Sequence, residues 1–193
     1  MPEDTRAHIR ARSLRAGALL SDALGKVVDY DTIPRTAHGK PYIPGEPDFH
    51  FSISHSGNYL LLAICRTHEI GADLQEIRPV KPGIDAVASR FFSPAESVYL
   101  KKITDPAEKE LTFFRLWSVK EAYLKYLGTG LAGNPAGFSA VIPPGGLAGA
   151  VRVRIKEDPF VFCTFPAPPE DGYVAAVCHP RSAEGITLRI SRT

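Results

Sequence analysis

A chain of 193 residues, 44% hydrophobic and 23% charged, has a globular composition and room for one large domain or two small halves sharing a core. Its formal net charge of +2 is too mild to argue for duplex DNA or a membrane surface. No uninterrupted apolar run could span a bilayer, so neither nucleic acid nor membrane is expected as a partner.

From about Thr5 to Leu24, Ile9, Ala16, Leu20 and Leu24 recur at helical spacing, and Gly25 stops the pattern. The opening MPEDTRAH lacks the apolar run of a signal peptide, which fits a cytoplasmic setting. Arg6, Arg10, Arg12 and Arg15 crowd this helix, either as a solvated face or as a patch for phosphate or an acidic partner. HGKPYIPGEP is turn-rich. FHFSISHS then alternates apolar and polar, YLLLAIC reads as its buried hairpin partner, and EIGADLQEI as a third strand. In SRFFSPAESVYL, Ser93, Pro94 and Glu96 form a helix-start signal with a capping box, which is expected to account for Glu96 fully. A long helix is predicted from about Pro106 to Leu127, ending at Gly128. Strand candidates FSAVI, VRVRI, VFCTF, YVAAVC and ITLRI follow. Cys65, Cys163 and Cys178 are odd in number and lack CxxC or Cys/His spacing. They suggest neither a zinc site nor a disulfide framework, and read as small apolar residues of buried strands. The order of elements predicts an α+β fold of two similar halves, residues 1–85 and 86–193, joined in one compact body.

The long helix contains one misplaced residue. Phe114, Trp117, Glu121, Leu124 and Gly128 fall on one stripe, which should be apolar throughout. An ionised carboxylate there must be paired, hydrogen-bonded or metal-bound. An i,i+4 bridge to Lys125 is the plain explanation. In the third strand the two-residue period puts Asp73 and Gln75 side by side on one face. Asp73, Gln75 and Glu121 together would form an oxygen-rich site suited to Mg²⁺ completed by substrate phosphates. Two other motifs fail. GTGLAG follows a helix and leads into Asn134-Pro135, so it cannot place a pyrophosphate at a helix N-terminus. Ser54 and His55 are strand neighbours pointing to opposite faces, so they cannot act as a nucleophile–base pair.

HGKPYIP, FHFSISHSGNYLLLAI, IGADLQEI, RFFSPAE and LWSVKEAYLKYLGTGL stand in an order and spacing that resemble the 4′-phosphopantetheinyl transferases of the surfactin-synthetase-activating type. The resemblance implies a pseudo-dimer of two α+β halves with coenzyme A and Mg²⁺ in the cleft between them. It implies transfer of the 4′-phosphopantetheine arm onto a serine of an apo acyl, peptidyl or polyketide carrier protein, as in holo-[acyl-carrier-protein] synthases, with release of adenosine 3′,5′-bisphosphate. Carried over by motif position, Asp73 and Glu121 would be metal ligands, with Gln75 at the third position. Gly39 and Lys40 of the GKP turn, Ser54, His55 and Lys125 would contact coenzyme A. Glu121 would be the base, with Lys125 beside it in the catalytic set. The sequence departs from the family's D-x-E pattern at Gln75, which removes one charge from the site. The competing readings are a Mg²⁺-dependent phosphohydrolase on a nucleotide-like ester and a binding module without turnover.

Overall fold

FHFSISHS and YLLLAIC meet as the expected hairpin. In the computed structural model, which describes residues 3–193, helix α1 (Glu3–Leu24) precedes β1 (His50–Ser56), β2 (Tyr59–Cys65) and β3 (Gly71–Glu76). Three helices follow, α2 (Ile84–Phe91), α3 (Pro94–Lys102) and α4 (Pro106–Leu127). The chain closes with β4 (Arg152–Arg154), β5 (Val161–Thr164), β6 (Tyr173–Pro180) and β7 (Thr187–Arg192). No described helix is long and apolar enough to cross a membrane.

The strands form two antiparallel sheets, β1-β2-β7 and β3-β6-β5-β4. β3 therefore joins the later strands, and β7 returns to the early ones. Between the sheets, Leu61, Ala63 and Cys65 pack on Ala72, Leu74 and Val177. On the outer faces, Ala16 and Leu20 of α1 cover Leu60, Leu62 and Ile64. Leu116, Val119 and Ala122 of α4 cover Ala176 and Cys178. Each fully buried leucine of this α/β/β/α stack contributes about 1.5–3 kcal/mol relative to exposure.

α1 departs from its predicted stripe. Ala16 and Leu20 are buried, but Ile9 is 46% exposed, because only the later turns of the helix lie over the sheet. The side chain of Arg6 lies outside the described residues. FSAVI is not a strand. It makes one bridge, Ala140 to Ile155, and Pro143-Pro144 ends the pairing by removing two backbone donors. Cys163 and Cys178 are register partners on β5 and β6 and are joined as a disulfide. This corrects the expectation of three unpaired cysteines, since spacing along the chain carries no information about sheet register. Only Cys65 is free, and it is buried as expected.

The two sheets meet through serine hydroxyls. The alternation of HFSISHS puts Ser52, Ser54 and Ser56 on one face of β1. Their Oγ atoms accept the backbone N–H groups of Ala72, Leu74 and Glu76 at 2.9, 3.1 and 2.9 Å. These are the amides that β3 does not use toward β6, so the serines cap an otherwise unpaired strand edge.

Candidate active site

On β3, Gly71, Asp73 and Gln75 face α4, the side opposite to Ala72 and Leu74. Gly71 decides how close the helix comes. A Cβ on it would fall on the Ala122 carbonyl oxygen and the Tyr126 backbone, so only glycine admits α4 at this distance. The helix itself runs between the predicted limits. Asp105 caps it by accepting the Glu108 N–H at 2.7 Å, and Gly128 ends it in the left-handed region at φ 70°. Trp117 packs against Phe91, Phe92 and Phe113, and Leu124 is buried. Both residues fix the face on which Glu121 and Lys125 emerge.

Asp73 is 2% exposed and has three side-chain partners. Its Oδ1 accepts Lys125 Nζ at 2.7 Å and Ser54 Oγ at 2.9 Å, and its Oδ2 accepts Gln75 Nε2 at 2.8 Å. Lys125 also donates to Ser54 Oγ at 3.0 Å. The i,i+4 bridge considered for Glu121 is therefore not the pairing Lys125 makes, because the ammonium lies across the helix–strand contact on Asp73. Glu121 is half-buried, and its pKa is raised by burial first and by the Asp73 charge second, with Lys125 opposing.

His55 points away from Ser54 and is exposed, as the strand period requires. Its pKa is lowered by partial desolvation and then by Arg12 and Lys125. The GKP turn is tight, with Gly39 at φ 87° and its N–H bonded to Thr36. Lys40 reaches the start of β3 and the end of α4. Its Nζ donates to Glu69 at 2.5 Å, to the Ile70 carbonyl at 3.2 Å and to the Tyr126 carbonyl at 3.3 Å.

Two adjoining cavities open on this cluster. One, of about 410 Å³, is lined by Arg12, Ser54, His55, Asp73, Gln75 and Lys125. The other, of about 220 Å³, is lined by Arg35, His38, Gly39, Lys40 and Lys125. Tyr30, Ile53 and Lys125 belong to both, so a single groove runs from the GKP turn to Asp73, while Glu121 lines neither cavity. Arg12 comes from the arginine cluster of α1, whereas Arg35 and His38 are wall residues not singled out in the sequence. The flanking RTAHGK run was the available signal for the last two.

The donors present fit a hard cation. Among the described residues no cluster of three or more His, Cys, Asp or Glu side chains stands ready for a metal. Asp73 and Glu121 supply two carboxylates whose mutual repulsion a dication would relieve, and Gln75 adds a neutral amide oxygen. Such an all-oxygen, incomplete set matches an ion that keeps waters and takes substrate oxygens.

Residues 69–178, more than half of the chain and including Asp73, Gln75, Glu121 and Lys125, match the family model of the 4′-phosphopantetheinyl transferase superfamily. The chain belongs to the 4′-phosphopantetheinyl transferase superfamily. A 4′-phosphopantetheinyl transferase of Bacillus subtilis is 36% identical over 154 residues, 79% of this chain and 65% of that protein. The Sfp transferase of Bacillus subtilis strain 168 is 37% identical over 154 residues, 78% of this chain and 65% of its own length. One from Bacillus pumilus is 37% identical over 154 residues, 78% of this chain and 62% of its own length. The chain thus spans just under two thirds of the length of these relatives. Among the described residues, two sheets and four α-helices make up the mixed α/β architecture that the family resemblance implied.

Proposed function

We propose that this chain transfers the 4′-phosphopantetheine arm of coenzyme A to a serine hydroxyl of an apo carrier protein, releasing adenosine 3′,5′-bisphosphate, in the manner of a holo-[acyl-carrier-protein] synthase. The observation that carries the reading is the meeting of β3 and α4, where Asp73, Lys125, Ser54 and Gln75 hydrogen-bond together beside Glu121 at the end of a cation-lined groove. The family to which the chain belongs supports it.

In this reaction the carrier serine oxygen forms a bond to the phosphorus bearing pantetheine. The bond from that phosphorus to the adenosine-side phosphate oxygen breaks, and the serine proton goes to a base. Glu121 takes that proton. General-base assistance of this kind is worth about 10²–10⁴-fold. Lys125, at the junction of the two cavities, donates to the pyrophosphate, as does His55, while Arg12 and the Gly39–Lys40 turn line the rest of the groove. Ser54 holds Asp73 and Lys125 in place through the three hydrogen bonds of its hydroxyl. Asp73, Gln75 and Glu121 would hold Mg²⁺, which when bound neutralises charge on the phosphoryl and leaving groups.

The test incubates the protein with coenzyme A, Mg²⁺ and apo carrier proteins from fatty-acid, polyketide and peptide pathways. A carrier mass gain of one phosphopantetheine arm is expected. Loss of coenzyme A without any change in carrier mass would establish hydrolysis instead. Binding with neither change would leave a module without turnover.

A further inference from the structure

Glu96 and Lys120 form an ion pair whose side chains are only 1% and 2% exposed, in the cluster that packs α3 against α4. The capping box does not account for it. The box needs one acceptor for the Ser93 N–H, made at 2.9 Å by Oε2, and a neutral glutamine would serve. The same oxygen also accepts Lys120 Nζ at 2.7 Å, and Oε1 accepts the Ala140 N–H at 2.8 Å. Lys120 donates in addition to the Phe138 carbonyl at 2.5 Å and lies 4.5 Å from the centre of the Phe138 ring. The N-terminus of α3, the middle of α4 and the 138–140 segment therefore meet at two charges. A buried pair of this kind adds little stability over apolar residues of the same volume, so its presence calls for another reason.

We infer that the Glu96–Lys120 pair is a positioning device that fixes the rotation of α4 and so aims Glu121 at Asp73; the inference rests on the transferase reading above. α4 is buried around most of its circumference, from Phe113 and Leu116 to Lys120, Ala122 and Leu124. Apolar packing decides which face of the helix is buried, but it is non-directional and holds the rotation within that face less closely than hydrogen bonds do. The hydrogen bonds of Lys120 are directional. Lys120 and Glu121 are consecutive, about 100° apart around the axis, so anchoring Lys120 on α3 commits Glu121 to the β3 side. Sequence alone could not show this, because the capping box gave Glu96 a sufficient local role.

The test compares wild type with the double variant Glu96→Leu/Lys120→Met, which replaces the pair by apolar groups of similar size. We expect the thermal midpoint to hold, calorimetric affinity for coenzyme A and the KM values to be unchanged, and kcat to fall about 100-fold, the effect of a small misplacement of a reacting group. A double variant with wild-type kcat overturns the inference, since the pair is then packing alone. Should that variant not fold, Glu96→Gln keeps the shape and removes the charge. Its kcat per folded molecule should fall likewise, and a kcat that simply follows the folded fraction overturns the inference. Wild-type protein that transfers nothing to any carrier sinks the transferase reading itself, a result distinct from either of these.

Discussion

At the scale of single residues, Asp73 and Glu121 are two carboxylates in one site with opposite circumstances. Asp73 is deeply buried yet receives an ammonium, a hydroxyl and an amide. Glu121 is less buried but carries a raised pKa, from desolvation and from facing Asp73. An acid raised above its ordinary value of 4.5 binds more protons in the folded state than in the unfolded one. Its contribution to stability is present below about 4.5 and is lost as pH rises through the raised value. Glu121→Gln removes the charge, so its thermal midpoint should exceed that of wild type at mildly alkaline pH, with the difference closing in acid. Transfer activity should fall by about 10²–10⁴-fold in the same variant. Melting both proteins across pH checks this, and a constant or negative difference would contradict the pKa argument. That Glu121 was exceptional could be read from its helical stripe. That Lys125 pairs with Asp73 could not, because the competing partner lies 52 residues away on another element.

At the scale of elements, the contact between β3 and α4 brings the site together, and Gly71 sets its distance. Gly71→Ala places a methyl against the backbone of α4, where no flexible side chain can yield. Overpacking of this sort costs about 1–3 kcal/mol or more, and prising the helix from the strand separates Asp73 from Lys125. Urea unfolding should show the loss of stability, and turnover should drop about 100-fold. An alanine variant with wild-type midpoint and turnover would mean that the helix is free to stand further off. β2, the capping box at Ser93 and the limits of α4 were readable because each rests on signals within a few neighbours. FSAVI was misread because its alternation looks like that of a strand, while the prolines beyond it leave only a single bridge. Glu96 was under-read for a related reason, since a local motif concealed its distant partner Lys120.

At the scale of the whole molecule, the exchange of β3 and β7 between early and late segments ties the two sheets together. The serine hydroxyls of β1 bond across the same boundary. Neither sheet can open without exposing the shared layer around Leu61, Ala72 and Val177. We therefore expect one cooperative unfolding transition. Fluorescence of Trp117, the only tryptophan, and far-ultraviolet circular dichroism should give coincident curves, with calorimetric and van't Hoff enthalpies equal. Two separated transitions would show that the halves unfold independently. The sequence by itself determined which segments are helices and strands in most of the chain, and which acids sit where a core residue was due. Of the acids, Glu121 alone was read in a core position, and these readings succeeded because periodicity, caps and turn residues act over short spans of chain. Only the tertiary structure decided the partners. It joined Lys125 to Asp73, Glu96 to Lys120, Cys163 to Cys178, and Lys40 to the ends of β3 and α4. Those pairings depend on distances between elements, which close packing sets and linear spacing does not encode.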